Sequence, residues 1–189
     1  MAIFELKPRE AELDEWAKQY WKANSSEDEA RAFDAGRKIL EGDFSNENLK
    51  EIVRWKSLRV VHYIDENPPE KTRQALERAI APTSSPRDAM TALTELRGVG
   101  VPVASAILTT IFPERYTVID FHALEALGHE PGSIDFYEQY LSFCKGLAAD
   151  LGERGLLHSQ EGFPAPTVLR ALDRALWQWS ANEGVLKSE

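Results

Sequence analysis

Leu93-Thr94-Glu95-Leu96-Arg97-Gly98-Val99-Gly100-Val101-Pro102-Val103-Ala104-Ser105-Ala106-Ile107-Leu108 is the stretch that decides the fold. Leu93 and Leu96 lie one turn apart and share a helix face. Gly98 and Gly100 permit a tight turn and leave backbone N–H groups uncovered. Pro102 fits the first turn of a following helix, where its fixed φ sets the start. Ala104 lets that helix pack close to the first, and Ile107 and Leu108 continue the apolar stripe. The spacing therefore predicts two helices joined by a short hairpin. The second helix begins with exposed amides and a positive dipole end, which can hold a phosphate without a cationic side chain. Such a grip positions a nucleic-acid backbone and reads no bases. The same residues also suit a tight helical hairpin in which both glycines serve packing alone.

Outward from the hairpin, the dominant period is helical. Ser85, Pro86 and Asp88 give a strong helix start by N-cap, first-turn proline and third-position acid. Upstream, helices are expected over about Pro8–Ala23, from Ser26 to about Leu40 with Glu29 closing a capping box, after Ser45, and from Pro69 onward. Leu58–Ile64 reads either as a continuation of the third or as a further helix. Downstream, Val101–Ile111 is followed by a loop and by Thr117-Val118-Ile119-Asp120. Asp120 caps a helix through Leu127, Ser133 caps another to about Leu151, and a last helix runs over about Thr167–Asn182. Strand-like alternation is scarce, so the fold class is all-α, as a single helical domain over 1–189.

Composition bounds the function. At 189 residues, 43% hydrophobic and 28% charged, the chain suits one globular domain, and disorder as its main state is excluded. No apolar run reaches the roughly 18 residues a membrane helix needs. Met1–Lys7 lacks the pattern of a signal peptide, and one cysteine, Cys144, permits neither an intramolecular disulfide nor a Cys-rich metal site. A cytoplasmic location, no membrane partner and a monomer are expected. The net charge of −9 argues against a protein that coats nucleic acid. Its distribution is uneven: residues 1–49 carry net −5, residues 50–100 net +2 and residues 101–189 net −6.

The run from Gly98 through Asp120 resembles the helix–hairpin–helix DNA glycosylase superfamily, which includes endonuclease III and the adenine-mismatch glycosylase. The match is Gly98-Val99-Gly100, then Ala104, then Val118-Ile119-Asp120 continued by Phe121-His122-Ala123-Leu124, with the spacing kept from Gly100 to Asp120. It covers about Ala89–Leu127, inside a hairpin and carboxylate segment at 86–128. The resemblance implies a two-lobed helical domain with hairpin and Asp120 at the mouth of a cleft. It makes Asp120 the catalytic carboxylate of N-glycosidic hydrolysis, where an acid stabilises the oxocarbenium-like sugar and orients water. Bifunctional members carry a lysine two residues after the second glycine, where this chain has Pro102, so the resemblance implies a monofunctional enzyme that uses water. An iron–sulfur cluster is not expected with one cysteine. The family's hairpin carbonyls hold a monovalent cation; the matching positions are Thr94, Leu96 and Val99. Its glutamine-bearing probing loop is not recognisable here.

DNA is thus the expected partner, through Arg97, Gly98, Val99, Gly100 and Val101. Arg54, Trp55 and Lys56 in the basic third are further candidates, with Trp55 either stacking on a base or buried beneath solvated cations. His62-Tyr63, His122 and Trp177 are candidates for lining a pocket, Trp179 belongs to the core stripe, and Cys144 reads as a small core residue. Two other functions stay open: a non-catalytic helix–hairpin–helix DNA-binding protein and a protein-interaction module.

Overall fold

Side-chain caps and prolines set the helix starts. In a computed structural model describing residues 4–23, 26–129 and 132–186, Ser85 Oγ accepts the Asp88 N–H at 3.1 Å while the Ser85 N–H reaches Asp88 Oδ2 at 3.3 Å. This capping box opens a helix that the proline at its first position preorganises. Asp120 Oδ1 likewise accepts the Ala123 N–H at 2.9 Å, and Ser133 Oγ the Phe136 N–H at 3.4 Å. Thr167 Oγ1 accepts the Arg170 N–H at 2.9 Å at the head of the last helix. The side chain of Ser26, expected to close a capping box with Glu29, lies outside the described residues.

The helices are α1 (Leu13–Ala23), α2 (Ser26–Leu40), α3 (Asn46–Lys56), α4 (Pro69–Ile80), α5 (Pro86–Thr94), α6 (Val101–Ile111), α7 (Phe121–Ala126), α8 (Ile134–Glu153) and α9 (Val168–Leu186). Glu10–Glu12 and Leu58–Glu66 are 3-10 helices, and no strand occurs among the described residues. The fold is all-α. Leu58–Glu66, left open between two readings by the sequence, is a separate tighter helix: Ser57 breaks α3 with an extended backbone.

The chain divides into two compact units. Glu27–Val118 forms one, built around α6, whose residues Val103–Ile111 are all buried. α3 and α5 pack on α6, and α4 packs on α5. Gly36 lets α2 approach α6, since a Cβ there would lie 2.4 Å from the Thr110 carbonyl oxygen. The other unit, Met1–Ser26 with Ile119–Glu189, is built on α9, which packs against α1, α7 and α8. Its N-terminal segment is pinned by Glu5 and Lys7 N–H bonds to the carbonyls of Leu127 and Ala126 at 3.2 and 2.9 Å. Phe4 meets Phe143, Phe136 and His129 in an aromatic cluster, with ring centroids 4.7–5.5 Å apart. Cys144 and Tyr140 are buried in α8, as a core cysteine should be. Trp179, expected in the core, is only half-buried.

Candidate nucleic-acid interface

The hairpin between α5 and α6 is tightly specified. Leu96 N–H bonds the Leu93 carbonyl at 3.1 Å, Val99 N–H bonds the Leu96 carbonyl at 3.1 Å, and α6 begins with Gly100 as its N-cap. Gly98 has φ +84°, and a Cβ there would lie 2.8 Å from Tyr63 Cβ. The fold therefore demands glycine at 98 on two separate grounds. Gly100 is different. Its φ of −89° suits any residue, and a Cβ would meet nothing closer than Pro102 Cδ at 3.9 Å. The missing side chain at 100 keeps the N-terminus of α6 open to an outside group. There the amides of Val101 and Val103 lack an i−4 acceptor by helix geometry, and Pro102 has no N–H. The Val99 N–H is spent inside the turn.

A buried asparagine holds this turn. Asn67 Oδ1 accepts the Arg97 N–H at 2.8 Å, and Asn67 Nδ2 donates to the Arg97 carbonyl at 3.0 Å. The same Nδ2 reaches the Tyr63 and Ile64 carbonyls, both at 3.2 Å. One amide thus ties the hairpin to the end of the Leu58–Glu66 helix. Sequence reasoning missed Asn67, which reads only as a helix stop before Pro68-Pro69; nothing local links it to a residue 30 positions away. Val60, Tyr63 and residues 96–100 together line a shallow concavity of about 410 Å³. Arg97 is exposed at its edge, 5.4 Å above the Tyr63 ring and 2.6 Å from Glu66. A phosphate bound here would replace Glu66 as the partner of Arg97.

The carbonyls at the implied cation positions are hard oxygen donors of the type alkali ions take. That of Leu96 also accepts the Val99 N–H, and an amide oxygen has a second lone pair for a cation. The donor chemistry at Thr94, Leu96 and Val99 therefore fits a monovalent cation.

The basic third does not make a basic patch, because most of its cations are spent nearby. Arg54 pairs with Glu51, Lys50 with Glu47 and Asp65, Arg73 with Glu70 and Glu77, and Arg78 with Glu95. Arg59 has no acidic partner among the described residues. It follows Leu58, an apolar side chain left 75% exposed at the start of the 3-10 helix. Trp55 is half-buried against Phe33, ring centroids 5.9 Å apart, at the end of α3 with Arg54 and Lys56. His62 is exposed.

Asp120 belongs to the second unit and is half-buried. Its charge reaches Tyr140: burial above all, then the charges of Cys144 and Asp120, push that phenol above its ordinary range. His122 Nδ1 lies 2.9 Å from Ser180 Oγ, and Ser180 Oγ donates to Glu125 Oε2 at 2.5 Å. The serine has one proton and gives it to the carboxylate, so His122 Nδ1 is the donor in the contact with Ser180. The ring also packs on Trp177, which in turn packs on Tyr20.

No family model, curated protein or solved structure matches the chain. The residues alone carry the functional argument.

Proposed function

We propose that this chain is a DNA-binding protein of the helix–hairpin–helix glycosylase type that hydrolyses the N-glycosidic bond of a damaged or modified base. The observation that carries the reading is Gly100, a glycine at a helix N-cap that the fold itself does not require. A bare N-cap beside open amides suits a close-approaching phosphate oxygen. Arg97 adds a cation at the same rim, and Arg59 with exposed Leu58 offers a second contact, an apolar wedge beside a charge. Arg54, already tied to Glu51, is left outside the proposed contacts together with Trp55 and Lys56 at the end of α3. Asp120 takes the chemical role: its carboxylate stabilises positive charge on the sugar as the base departs with the bonding electrons. It then accepts a proton from the water that attacks the anomeric carbon. Pro102 offers no nucleophilic amine, so the reaction ends at an abasic site without strand cleavage.

The test is release of free base from a panel of duplexes carrying single damaged or modified bases. Release of at least one base, with the strand left intact, is the expected result. Tight duplex binding with no release from any substrate favours the non-catalytic DNA-binding reading, for which the locally paired charges of the basic third give no separate support.

A further inference from the structure

The hairpin carries its own counter-charge. Arg97 lies 2.6 Å from Glu66 and 5.4 Å above the Tyr63 ring, and both partners belong to the Leu58–Glu66 helix. An exposed ion pair between long side chains is ordinarily weak, because each gives up rotamer freedom to meet the other. Here the main chain supplies much of that order. Asn67, the residue after Glu66, grips residue 97 at both backbone groups, accepting its N–H at 2.8 Å and donating to its carbonyl at 3.0 Å. Asn67 is itself buried, and Asn46 Nδ2 donates to its carbonyl at 3.2 Å. Further back in the same helix, Val60 faces the glycine turn: a Cβ at Gly98 would lie 3.1 Å from the Val60 carbonyl oxygen. The backbones at 66 and 97 are thus fixed against each other, and their side chains meet from preset positions.

The pairing is also selective. The other acid of the turn, Glu95, takes two hydrogen bonds from Arg78, at 2.8 and 3.1 Å. Glu66 is the acid left for Arg97. A carboxylate offers a guanidinium the same two-oxygen edge that a phosphate does. It therefore stands in for a phosphate at the rim where the α6 amides open. Both side chains reach solvent, at 63% and 40% exposure, so they can part while the fold stays intact.

We propose that Glu66 is a built-in competitor for the hairpin's phosphate site: it occupies Arg97 in the free chain and is displaced when a DNA backbone phosphate takes the guanidinium. This competition presupposes the DNA-binding reading of the hairpin and is independent of the chemistry of Asp120. Exchanging one anion for another returns only part of the worth of a new contact. Arg97 therefore adds little to affinity while Glu66 is present. A duplex that also engages the α6 amides and Arg59 offsets the lost internal pair, whereas an isolated anion at the rim gains an exchange alone.

Equilibrium binding of a fluorescent, undamaged duplex at one fixed low salt concentration tests it. Four chains are compared: native, Glu66→Gln, Arg97→Gln and the double variant. Both substitutions fall on exposed side chains, and the Asn67 clamp they leave in place holds backbone groups alone. Glu66→Gln keeps the shape and removes the charge, and is expected to tighten binding about fivefold. In the Arg97→Gln background there is no guanidinium to release, and the same change is expected to tighten it no more than about twofold. A carboxylate that merely repels the duplex gives equal gains in both backgrounds, and that result overturns the proposal. So does duplex binding by the native chain that Glu66→Gln leaves unchanged, an outcome under which the hairpin still binds DNA. Absence of duplex binding by both the native chain and Glu66→Gln overturns the DNA-binding reading and the competition together.

Discussion

At the residue scale, two glycines separated by one position have different reasons to exist. Gly98→Ala forces an L side chain to φ +84° and drives a Cβ to within 2.8 Å of Tyr63. It is expected to cost about 2–4 kcal/mol in urea unfolding, from left-handed strain and overpacking together. Gly100→Ala meets neither obstacle and is expected to cost no more than about 1 kcal/mol, while weakening duplex binding about tenfold or more by crowding the α6 N-terminus. Equal losses of stability in the two variants would contradict this division. Both glycines were legible in the sequence, but their difference was not: it depends on Tyr63, which the chain brings beneath the turn from 35 residues away. Cys144 shows the other side. Burial pushes its thiol up to about 12, against the opposing hydrogen bond of the Tyr140 hydroxyl. An unfolded thiol ionises near 9.0, so burying the neutral form contributes fully below that pH. The contribution is lost as pH rises from there toward about 12. The urea midpoint of the native chain is therefore expected to fall more steeply above pH 9.0 than that of Cys144→Ala. Parallel pH profiles would contradict it.

At the element scale, the helices were legible wherever a start signal was local. Ser85, Asp120 and Ser133 announce α5, α7 and α8 within four residues, and all three make the cap the sequence predicts. Ser85→Ala removes the hydroxyl that accepts the Asp88 N–H, leaves the residue-85 N–H on Asp88 Oδ2, and is expected to destabilise the chain by about 1 kcal/mol, read as a lower urea midpoint with an unchanged slope. No change in midpoint would mean that Pro86 alone fixes the start of α5. Elements were illegible where the signal is distant. Leu58–Glu66 is a 3-10 helix held at its end by Asn67, whose amide also serves the hairpin, and no spacing within the segment predicts that length. The same holds for the packing of Arg174 of α9 over the Trp21 ring of α1, two residues that meet across more than 150 positions.

At the scale of the whole molecule, the charge of −9 acquires a structural account. The basic third is net positive in sequence, yet its arginines and lysines are largely tied to acids three or four residues away or on the next helix. Such exposed pairs contribute little to stability. They do remove the uniform positive surface on which non-specific DNA binding depends. On the proposed reading, with contacts confined to the α6 amides, Arg97 and Arg59, about two or three phosphates would be neutralised. The logarithm of affinity should then fall against the logarithm of salt with a slope of about −2 to −3. A slope near −6 or steeper would place the binding surface elsewhere. The central claim is that Asp120 does chemistry and does not merely cap α7. Asparagine caps a helix as well as aspartate but can neither stabilise a sugar cation by charge nor take a proton from water. The decisive measurement is single-turnover base release by Asp120→Asn against the native chain, on whichever duplex the panel identifies, with urea stability measured in parallel. The account predicts release slowed at least about a hundredfold with stability unchanged to within about 0.5 kcal/mol. Release at the native rate in a fully folded Asp120→Asn chain would contradict it.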